Sequence, residues 1–472
     1  MQRKLRRLTS LAVITMSSLS LTMVGCSDLA LAPNPITTTN GKPQAATAGT
    51  ASCNCNYTVP VKTDGQYVDG TKIGVKAGGT ICLQGGATYG NITFTNIVGT
   101  AAQPINIVTC NGSVLMQATG RPYGLKFIGS SFIHLSGGTG STRNLTLEGG
   151  QNGVSIEGMS TNIELDHMEI RKQDFAGIMA KTDPTCEDKT NRGFFVMKDV
   201  ILHDNYVHDT GGEGFYVGYS FWLSGKTLSC GVKYPHEVVG CKIYNNVIKN
   251  SGWESIQVGS APQGALVYNN RIENYGAKNV SAQNNGIQFG EGANGKCYGN
   301  FIKGGHGDGI IIIGNSDNTV YDNVIINAGL DGIFCDDRVN GAGFKFLNNT
   351  IINPAQDGIK LYADQVTMNT IENNIIINAG NYSVFGYPRP KTDAYVYLLN
   401  SAVKVTMKNN YYSQDISTVK FTNPAADDYS LTSASANVLN KGLSVSGFGV
   451  TVDYANKPRL VGTATDIGAY EY

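Results

Sequence analysis

Residues 321–337 read YDNVIINAGLDGIFCDD, and six other segments of the chain follow the same pattern. Each has an asparagine at a fixed place, then a short apolar run, a turn and a second apolar run. The aligned asparagines are Asn205, Asn246, Asn270, Asn300, Asn323, Asn349 and Asn374. Their successive spacings of 41, 24, 30, 23, 26 and 25 residues give a period near 24 with two insertions. Such a period is typical of a solenoid.

Each repeat contains two alternating strands, for example NVIIN and DGIFC, and no ten-residue helical pattern connects them. The chain must therefore coil, so that each strand lies on its counterpart one turn later. Aliphatic residues then point inward, and an asparagine at the turn can adopt the left-handed conformation and bond to its counterparts above and below. The pattern predicts an all-β, single-stranded solenoid with about a dozen turns.

These segments resemble the right-handed parallel β-helix of the pectate-lyase-like superfamily, and the resemblance covers most of the chain after residue 52. Residues 79–112 are similar to the opening turns of many such proteins. The end of the chain, which closes on DIGAYEY, is similar to the terminal segment of many secreted bacterial members. The resemblance implies a β-helix over residues 53–422 and a segment over residues 423–472 that caps its last turn.

The first 25 residues have the features of a signal peptide, with a basic start and an apolar stretch too short to span a membrane. The sequence MVGC, which ends at Cys26, resembles the bacterial lipobox. That resemblance implies lipidation of Cys26 and a lipid-anchored protein of the cell envelope, at the outer membrane. The polar, Pro-, Thr- and Ala-rich composition after Cys26 predicts a flexible tether over residues 26–52. An ordinary signal peptide cleaved nearby is the alternative.

The chain carries 36 basic and 36 acidic residues, which argues against a nucleic-acid partner. Export implies an oxidising compartment, where the nine cysteines after Cys26 can pair. Cys53 and Cys55 could pair with Cys82 and Cys110, but the sequence leaves the connectivity open, and the odd count leaves one thiol over. The expected partners are a polysaccharide and the membrane, and we expect a monomer.

Five acidic residues occupy one position of the repeat, each two residues before an inward apolar side chain. They are Glu213, Glu254, Asp308, Asp331 and Asp357, and Asn285 interrupts the column. A column of ionised carboxylates without water would be unstable, since turns stack about 4.8 Å apart. We therefore expect these groups to be solvated or to accept backbone N–H bonds, in a structural role.

Asp336, Asp337 and Arg338 depart from the repeat, where other turns have GYS, GSA, GEG or GNS. One interpretation is a solvated loop with an internal ion pair. The other is an eliminating lyase site, with calcium held by Asp336 and Asp337, and with Lys360 and Arg338 as catalytic groups. Lys360 would be the base if a neighbouring cation lowers its pKa. Residues 331–346 weakly resemble lyases with acidic calcium ligands and a lysine base, so Lys345 is a second candidate.

Outward positions of the repeat carry amide, aromatic and lysine side chains that could form a sugar-binding groove or only an ordinary polar surface. The candidates for substrate binding are Tyr216, Trp253, Gln257, Gln288 and Tyr362, and Lys181 lies on the same face. They favour a surface-anchored carbohydrate-active protein that binds an acidic polysaccharide or cleaves it by β-elimination.

Two other functions stay open. The first is a non-catalytic β-helix that binds glycan or serves as an envelope scaffold. The second is a glycoside hydrolase with paired carboxylates, but the GHG at residues 305–307 precedes Asp336 and Asp337, whereas pectin hydrolases of this fold have the opposite order. His203 and His208, in HDNYVHD, could also ligate a metal.

Overall fold

In the computed structural model, which describes residues 53–380 and 394–472, the chain winds into a parallel β-helix. Three sheets of 13, 12 and 12 strands run the length of the solenoid, and neighbouring strands in each come from successive turns. All of the strand pairings within these sheets are parallel. For example, the strand Phe301–Gly305 pairs in parallel with the strand Val324–Ile326. The predicted fold, a single-stranded right-handed parallel β-helix of about a dozen turns, is confirmed.

The strands of the first sheet are Tyr57–Thr58, Thr80–Gln84, Ile105–Cys110, Ser131–Ser136, Thr161–Asp166, Val200–His203, Lys242–Tyr244, Ala265–Tyr268, Gly295–Tyr298, Thr319–Tyr321, Lys345–Leu347, Asn369–Glu372 and Val405–Lys408. Those of the second sheet are Thr88–Tyr89, Val114–Gln117, Leu145–Glu148, Met168–Arg171, Tyr206–His208, Val247–Lys249, Arg271–Tyr275, Phe301–Gly305, Val324–Ile326, Thr350–Ile352, Ile375–Ile377 and Tyr411–Ser413. Those of the third sheet are Gln66–Asp69, Ile92–Thr95, Tyr123–Ile128, Asn152–Glu157, Ala176–Ala180, Phe215–Val217, Ile256–Val258, Ile287–Phe289, Ile310–Ile312, Ile333–Cys335, Ile359–Leu361 and Val396–Leu398.

Each turn thus has three strands, whereas the sequence pattern predicted two. The missed strand belongs to the first sheet and directly precedes the asparagine pair, as Lys345–Leu347 does. Smaller elements lie outside the three sheets: the pairs Val196–Lys198 with Glu237–Val239 and Lys226–Leu228 with Gly231–Lys233, the short helix Gly70–Ile73, and 3₁₀ turns at Ile416–Thr418, Pro424–Ala426 and Ser446–Phe448.

The repeated asparagines stack in a buried ladder at the turn between the first and second sheets. Asn300 Nδ2 donates to Asn323 Oδ1 at 2.9 Å, and Asn323 Nδ2 donates to Asn349 Oδ1 at 2.9 Å. The residue before each ladder asparagine takes the left-handed conformation, with φ of +55° at Asp322 and +52° at Asn348. Two neighbouring residues therefore share the roles that the sequence pattern assigned to one asparagine.

The predicted inward residues form the core. Phe215, Ile256, Ile310, Ile333 and Ile359 are fully buried and pair in register from turn to turn along the third sheet. A continuous apolar cluster runs from Val59 to Val403 through the interior of the solenoid. Burial of such columns is the main favourable contribution to folding.

Three disulfides join Cys53 to Cys110, Cys55 to Cys82, and Cys186 to Cys230. The four N-terminal cysteines pair among themselves, as expected. The expectation of one leftover thiol is wrong for the described residues, where Cys241, Cys297 and Cys335 are all unpaired and buried. These three occupy inward positions, where a thiol packs as a small apolar group.

The C-terminal segment covers the outward face of the second sheet rather than only its last strand. Its apolar side chains pack on those of the sheet: Val419, Phe421, Tyr429, Leu431, Val438, Ile467 and Ala469 against Phe301, Val324, Ile326, Ile352, Ile375 and Ile377. Asp427 accepts hydrogen bonds from Arg271 Nη2 at 2.8 Å and Lys303 Nζ at 2.6 Å. These contacts seal a sheet face that would otherwise be exposed and apolar.

The predicted signal peptide, residues 1–25, the tether, residues 26–52, and the lipidation site Cys26 lie outside the described residues. Within the described part of the chain, none of the helices has the length and apolar character needed to cross a bilayer.

Candidate functional site

The outward face of the third sheet carries a hydrogen-bonded row of polar side chains. Tyr216, Gln257 and Gln288 are in register on three successive turns. Gln288 Nε2 donates to Gln257 Oε1 at 3.0 Å, and Gln257 Nε2 donates to Ser220 Oγ at 2.9 Å. Ser220 Oγ also lies 3.0 Å from Tyr216 Oη. Three residues predicted for substrate binding are thus together, and Ser220, which the sequence did not single out, connects them.

Aromatic rings flank this polar row. The ring of Phe175 lies 5.4 Å from that of Trp253 and 6.1 Å from that of Tyr216, edge to face in both cases. All three rings remain partly exposed. Trp253 therefore joins the same surface as Tyr216, through a phenylalanine from the preceding turn.

Two long loops, residues 182–195 and 219–236, border the same face. The disulfide between Cys186 and Cys230 joins them. The guanidinium of Arg192 lies 3.4 Å from the centre of the Trp222 ring, and its Nη2 donates to the carbonyl oxygen of Trp222 at 2.6 Å. The loops therefore form one cross-linked unit beside the sheet.

Lys181 directly follows the strand Ala176–Ala180 and points into the space under these loops. Its Nζ lies 2.9 Å from Asp183 Oδ1, while Lys226 Nζ lies 3.2 Å from the other oxygen of Asp183. The Lys181 side chain is only 4% exposed, and its nitrogen is 5.4 Å from the centre of the Tyr219 ring. Burial lowers the pKa of Lys181 to about 7, against the opposing effect of Asp183. The sequence placed Lys181 on this face, but its burial depends on the distant loop that covers it.

Lys360 has the opposite environment from the one predicted. Its Nζ lies 2.6 Å from Asp331 Oδ2, 3.3 Å from Asp357 Oδ2 and 2.8 Å from Gln356 Oε1. These carboxylates raise the pKa of Lys360 above its ordinary value, despite burial. The condition under which Lys360 would be the base, a pKa lowered by a neighbouring cation, is not met among the described residues, because the nearest charges are anions. The catalytic role of Lys360 stays a prediction.

The residues of the unusual DDR segment enter separate contacts. Asp337 is buried, and its two carboxylate oxygens accept hydrogen bonds from the backbone N–H and the side-chain amide of Gln365, at 2.5 Å and 3.0 Å. Arg338 Nη2 lies 3.9 Å from Asp336 Oδ2, which matches the internal ion pair of the simpler interpretation. Lys345, the second candidate base, forms an ion pair with Asp317.

Tyr362 belongs to the far end of the same sheet. Its ring lies 5.2 Å from that of Phe334, edge to face, and 6.3 Å from that of Tyr397. Three turns separate the Gln288 position from that of Lys360, which is about 14 Å at the usual strand spacing. Tyr362 and Lys360 are therefore not part of the polar row around Gln257.

Asp336 and Asp337, the predicted calcium ligands, do not belong to a cluster of potential metal ligands. In the described residues, three or more His, Cys, Asp or Glu side chains come close enough to share an ion at two places. One is the group Cys55, Cys82 and Cys110, whose members are in disulfides, and the other is on the first sheet. Neither group includes Asp336 or Asp337. The carboxylate of Asp337 already accepts hydrogen bonds from Gln365. The two aspartates as placed do not form a calcium cage.

The acidic column is buried. Asp308 Oδ1 accepts the backbone N–H of Asp331 at 2.9 Å, and Asp331 Oδ1 accepts that of Asp357 at 2.8 Å. Burial raises the pKa of Glu213 to about 8 and that of Asp331 to about 6, and it also raises the pKa of Glu254. The expectation of solvated groups is wrong, whereas the alternative, acceptance of backbone N–H bonds, is confirmed at Asp308 and Asp331.

Comparison with known proteins gives the fold but little more. Residues 230–411 match the family described as "Right handed beta helix region", and no curated protein matches the chain. Among solved structures, the pectate lyase Pel9A shares 14% identity over 87% of this chain and 97% of its own, with a TM-score of 0.48. The GH136 lacto-N-biosidase from Eubacterium ramulus shares 13% identity over 72% and 62%, with a TM-score of 0.45. The A-module of a mannuronan C-5 epimerase from Azotobacter vinelandii shares 15% over 71% and 87%, with a TM-score of 0.43.

Proposed function

We propose that this protein binds an acidic polysaccharide along the outward face of the third sheet. The observation that carries the proposal is the row Tyr216, Ser220, Gln257 and Gln288 beside the rings of Phe175 and Trp253. Sugars pack their apolar faces on aromatic rings and bond through their hydroxyl groups to amides, and sites of this kind combine aromatic walls with a few polar groups. Lys226, whose side chain is 29% exposed, supplies a cation for a uronate carboxylate.

Binding is tested by affinity electrophoresis of the purified protein, with Cys26 replaced by serine so that it is not lipidated. The gels contain pectate, alginate or a glycosaminoglycan. Trp253→Ala and Gln257→Ala should each weaken binding at least tenfold. Tyr67→Ala is the matched control, since Tyr67 is 76% exposed on the first strand of the same sheet, far from the polar row. Absence of retardation by all three acidic polysaccharides, or an equal loss in Tyr67→Ala, would contradict the proposal.

A second candidate function is elimination with Lys181 as the base, and the specific observation that favours it is the lowered pKa of this buried amine. A neutral lysine can remove the ring proton next to a uronate carboxylate, after which the neighbouring C–O bond breaks and its electron pair leaves with the departing sugar. The product carries a new carbon–carbon double bond, and the proton taken by Lys181 passes, directly or through water, to the oxygen of the departing sugar, which returns the lysine to its neutral form. The substrate reaches this amine only if the covering loop around Tyr219 moves.

Elimination is tested by the ultraviolet absorbance of unsaturated uronate, with and without calcium. Product should form in the parent chain and in Lys360→Ala but not in Lys181→Ala, while Lys181→Ala still binds the polysaccharide. The reverse pattern would assign the base to Lys360, as the sequence predicted. No product from any uronate would remove elimination and leave the binding function.

Calcium binding by Asp336 and Asp337 and a role for Arg338 remain predictions. Calcium there would have to displace Gln365 from Asp337, so an elimination rate that does not change with added calcium or chelator would count against it. Lipid anchoring at Cys26 is also part of the proposal. Mass spectrometry of the mature N-terminus should detect acyl chains, and Cys26→Ser should release the protein from membranes.

A further inference from the structure

Four side chains with metal-binding groups meet on the outward face of the first sheet. His134, Glu164 and His203 come from three successive strands, and Asp166 lies two residues beyond Glu164. In the strand register, Glu164 pairs with His134, and Asp166 pairs with His203. The middle strand thus carries both carboxylates, and each neighbouring strand places one histidine beside them.

The atoms that face one another are ring nitrogens and carboxylate oxygens. His134 Nε2 contacts Asp166 Oδ2 directly. His203 Nε2 lies 3.0 Å from Glu164 Oε1 and 3.8 Å from Asp166 Oδ2. One ligand atom from each of His134, Glu164 and Asp166 falls within 4.8 Å of the others, so the three groups are close enough to hold an ion together.

The remaining atoms of these groups are held by neighbours. His203 Nδ1 lies 2.6 Å from Asp204 Oδ2, which orients the ring and leaves Nε2 towards the cluster. Ser136 Oγ and His167 Nδ1 both lie 2.5 Å from Asp166 Oδ1, which leaves Oδ2 towards the cluster. Outer partners of this kind, on the second nitrogen of a histidine and the second oxygen of a carboxylate, are typical of metal sites.

We propose that His134 Nε2, Glu164 and Asp166 Oδ2 bind one divalent transition-metal ion, and that His203 Nε2, which lies beside the same two carboxylates, turns in as the fourth ligand. Two imidazoles and two carboxylates suit zinc, which takes four nitrogen and oxygen ligands in a tetrahedral arrangement, and they do not suit calcium, which prefers oxygen. Asp166 is buried while His134 and Glu164 are about one-third exposed, so the ion can enter from solvent. The site is on a different sheet from the polar row of the proposed function and does not depend on it.

A network of protonated histidines is the competing explanation. The carboxylates raise the pKa of His134, and Asp204, Glu164 and Asp166 raise that of His203 to about 9, so two imidazolium ions would also offset much of the negative charge of the cluster. His208 offers the internal comparison. Its Nε2 lies 3.2 Å from Glu169 Oε1 and its Nδ1 lies 2.7 Å from Asp209 Oδ2, on the second sheet and without a second histidine. The two histidines suggested by the sequence as joint metal ligands are therefore on different sheets, and His203 shares the carboxylate of Asp166 with His134.

The test uses the soluble chain, without an affinity tag, after removal of metals by a chelator. Titration with zinc, followed by calorimetry and by competition with a coloured chelator, should show one equivalent bound. His134→Gln and His203→Ala should each weaken binding at least a hundredfold, whereas His208→Ala should bind as the parent does. Cobalt should give the strong visible absorption of a tetrahedral complex, and that absorption should be lost in His134→Gln.

Two outcomes would overturn the proposal. One is a parent chain that binds neither zinc nor cobalt, and the other is binding that falls equally in His208→Ala and His134→Gln. His203 stacks on Tyr244, with ring centres 4.7 Å apart, so His203→Ala could disturb the fold. His134, which is about one-third exposed, avoids this. Thermal unfolding checks both variants: zinc should raise the midpoint of the parent and of His208→Ala but not that of His134→Gln.

Discussion

Lys360 reaches back one turn of the solenoid and places its ammonium nitrogen 2.6 Å from Asp331 Oδ2. The Asp331 side chain is 3% exposed and that of Lys360 is 12% exposed, so the pair is largely shielded from water. Asp357, three residues before Lys360 on the same turn, has its Oδ2 atom 3.3 Å from the same nitrogen. One lysine therefore neutralises the end of the buried acidic column.

Replacement of Lys360 by methionine should destabilise the protein by about 3–5 kcal/mol at pH 8, because it leaves buried carboxylates without their cation. The loss should be smaller at pH 5, where protonation removes the unpaired charge. Lys345→Met is the control: it breaks the pair with Asp317, whose side chain is 55% exposed, and should cost less than about 1 kcal/mol. Urea unfolding at both pH values measures the difference, and equal losses in the two variants would contradict the structural role of Lys360.

The buried asparagine ladder that contains Asn323 should contribute more to the free energy of unfolding than the exposed row of asparagines at the other turn. Asn323 Nδ2 donates to the carbonyl oxygens of Cys297 and Tyr321, both at 3.0 Å, and its Oδ1 accepts from the backbone N–H of Asn300 at 3.0 Å. Asn323→Ala leaves these buried groups unpaired and should cost about 3–5 kcal/mol.

The matched control for Asn323→Ala lies at the other turn. Asn353 is exposed, has φ of +52° and donates to Asn327 Oδ1 at 3.1 Å. Asn353→Gly keeps the left-handed conformation and should cost less than about 1 kcal/mol. Thermal unfolding of both variants compares the two turns, and similar losses would show that the buried ladder has no special weight.

The sequence predicts the solenoid well because its winding is a local, repeated property. The spacing of Asn300, Asn323 and Asn349 fixes which residues stack, and the alternation around Ile310, Ile333 and Ile359 fixes which point inward. Tyr216, Gln257 and Gln288 could be aligned for the same reason.

The chemistry of the side chains was much harder to predict, because it depends on burial and on residues from other turns. The lowered pKa of Lys181 results from its cover by Tyr219, and the raised pKa of Lys360 from a carboxylate 29 positions earlier. His134 and His203 both reach Asp166 from neighbouring turns, 32 and 37 positions away in the sequence. A register derived only from the regular repeats does not reach the irregular early turns.

Glu213→Gln should stabilise the protein at alkaline pH. Burial raises the pKa of Glu213 from 4.5 to about 8, so the folded state keeps this proton to higher pH than the unfolded state does. The contribution of Glu213 to stability is therefore full below pH 4.5 and is lost as the pH rises towards 8. Glutamine resembles the protonated acid, so the variant should gain on the order of 3 kcal/mol over the parent at pH 9 and little at pH 4.

Urea unfolding between pH 4 and pH 9 measures this difference. Glu187→Gln serves as the control, because Glu187 has a 71% exposed side chain on the loop of residues 182–195 and should not change the pH profile. Parallel profiles for the parent and Glu213→Gln would mean that the carboxyl of Glu213 is not held protonated in the folded protein.

The two loops beside the third sheet should be separable from the solenoid by removal of one disulfide. Cys186 and Cys230 are 44 residues apart. A cross-link over such a distance lowers the chain entropy of the unfolded loops and so stabilises the folded loops by about 4 kcal/mol. The double variant Cys186→Ser/Cys230→Ser should be cut by protease within residues 182–236 and should bind polysaccharide at least fivefold more weakly, while the main thermal transition moves by only a few degrees. The double variant Cys55→Ser/Cys82→Ser should lower the main thermal transition and leave polysaccharide binding unchanged. Its disulfide joins the first turns of the solenoid, far from Lys226 and Trp253. If the first double variant lowers the main transition and leaves binding intact, the loops belong to the folding core and not to the binding face.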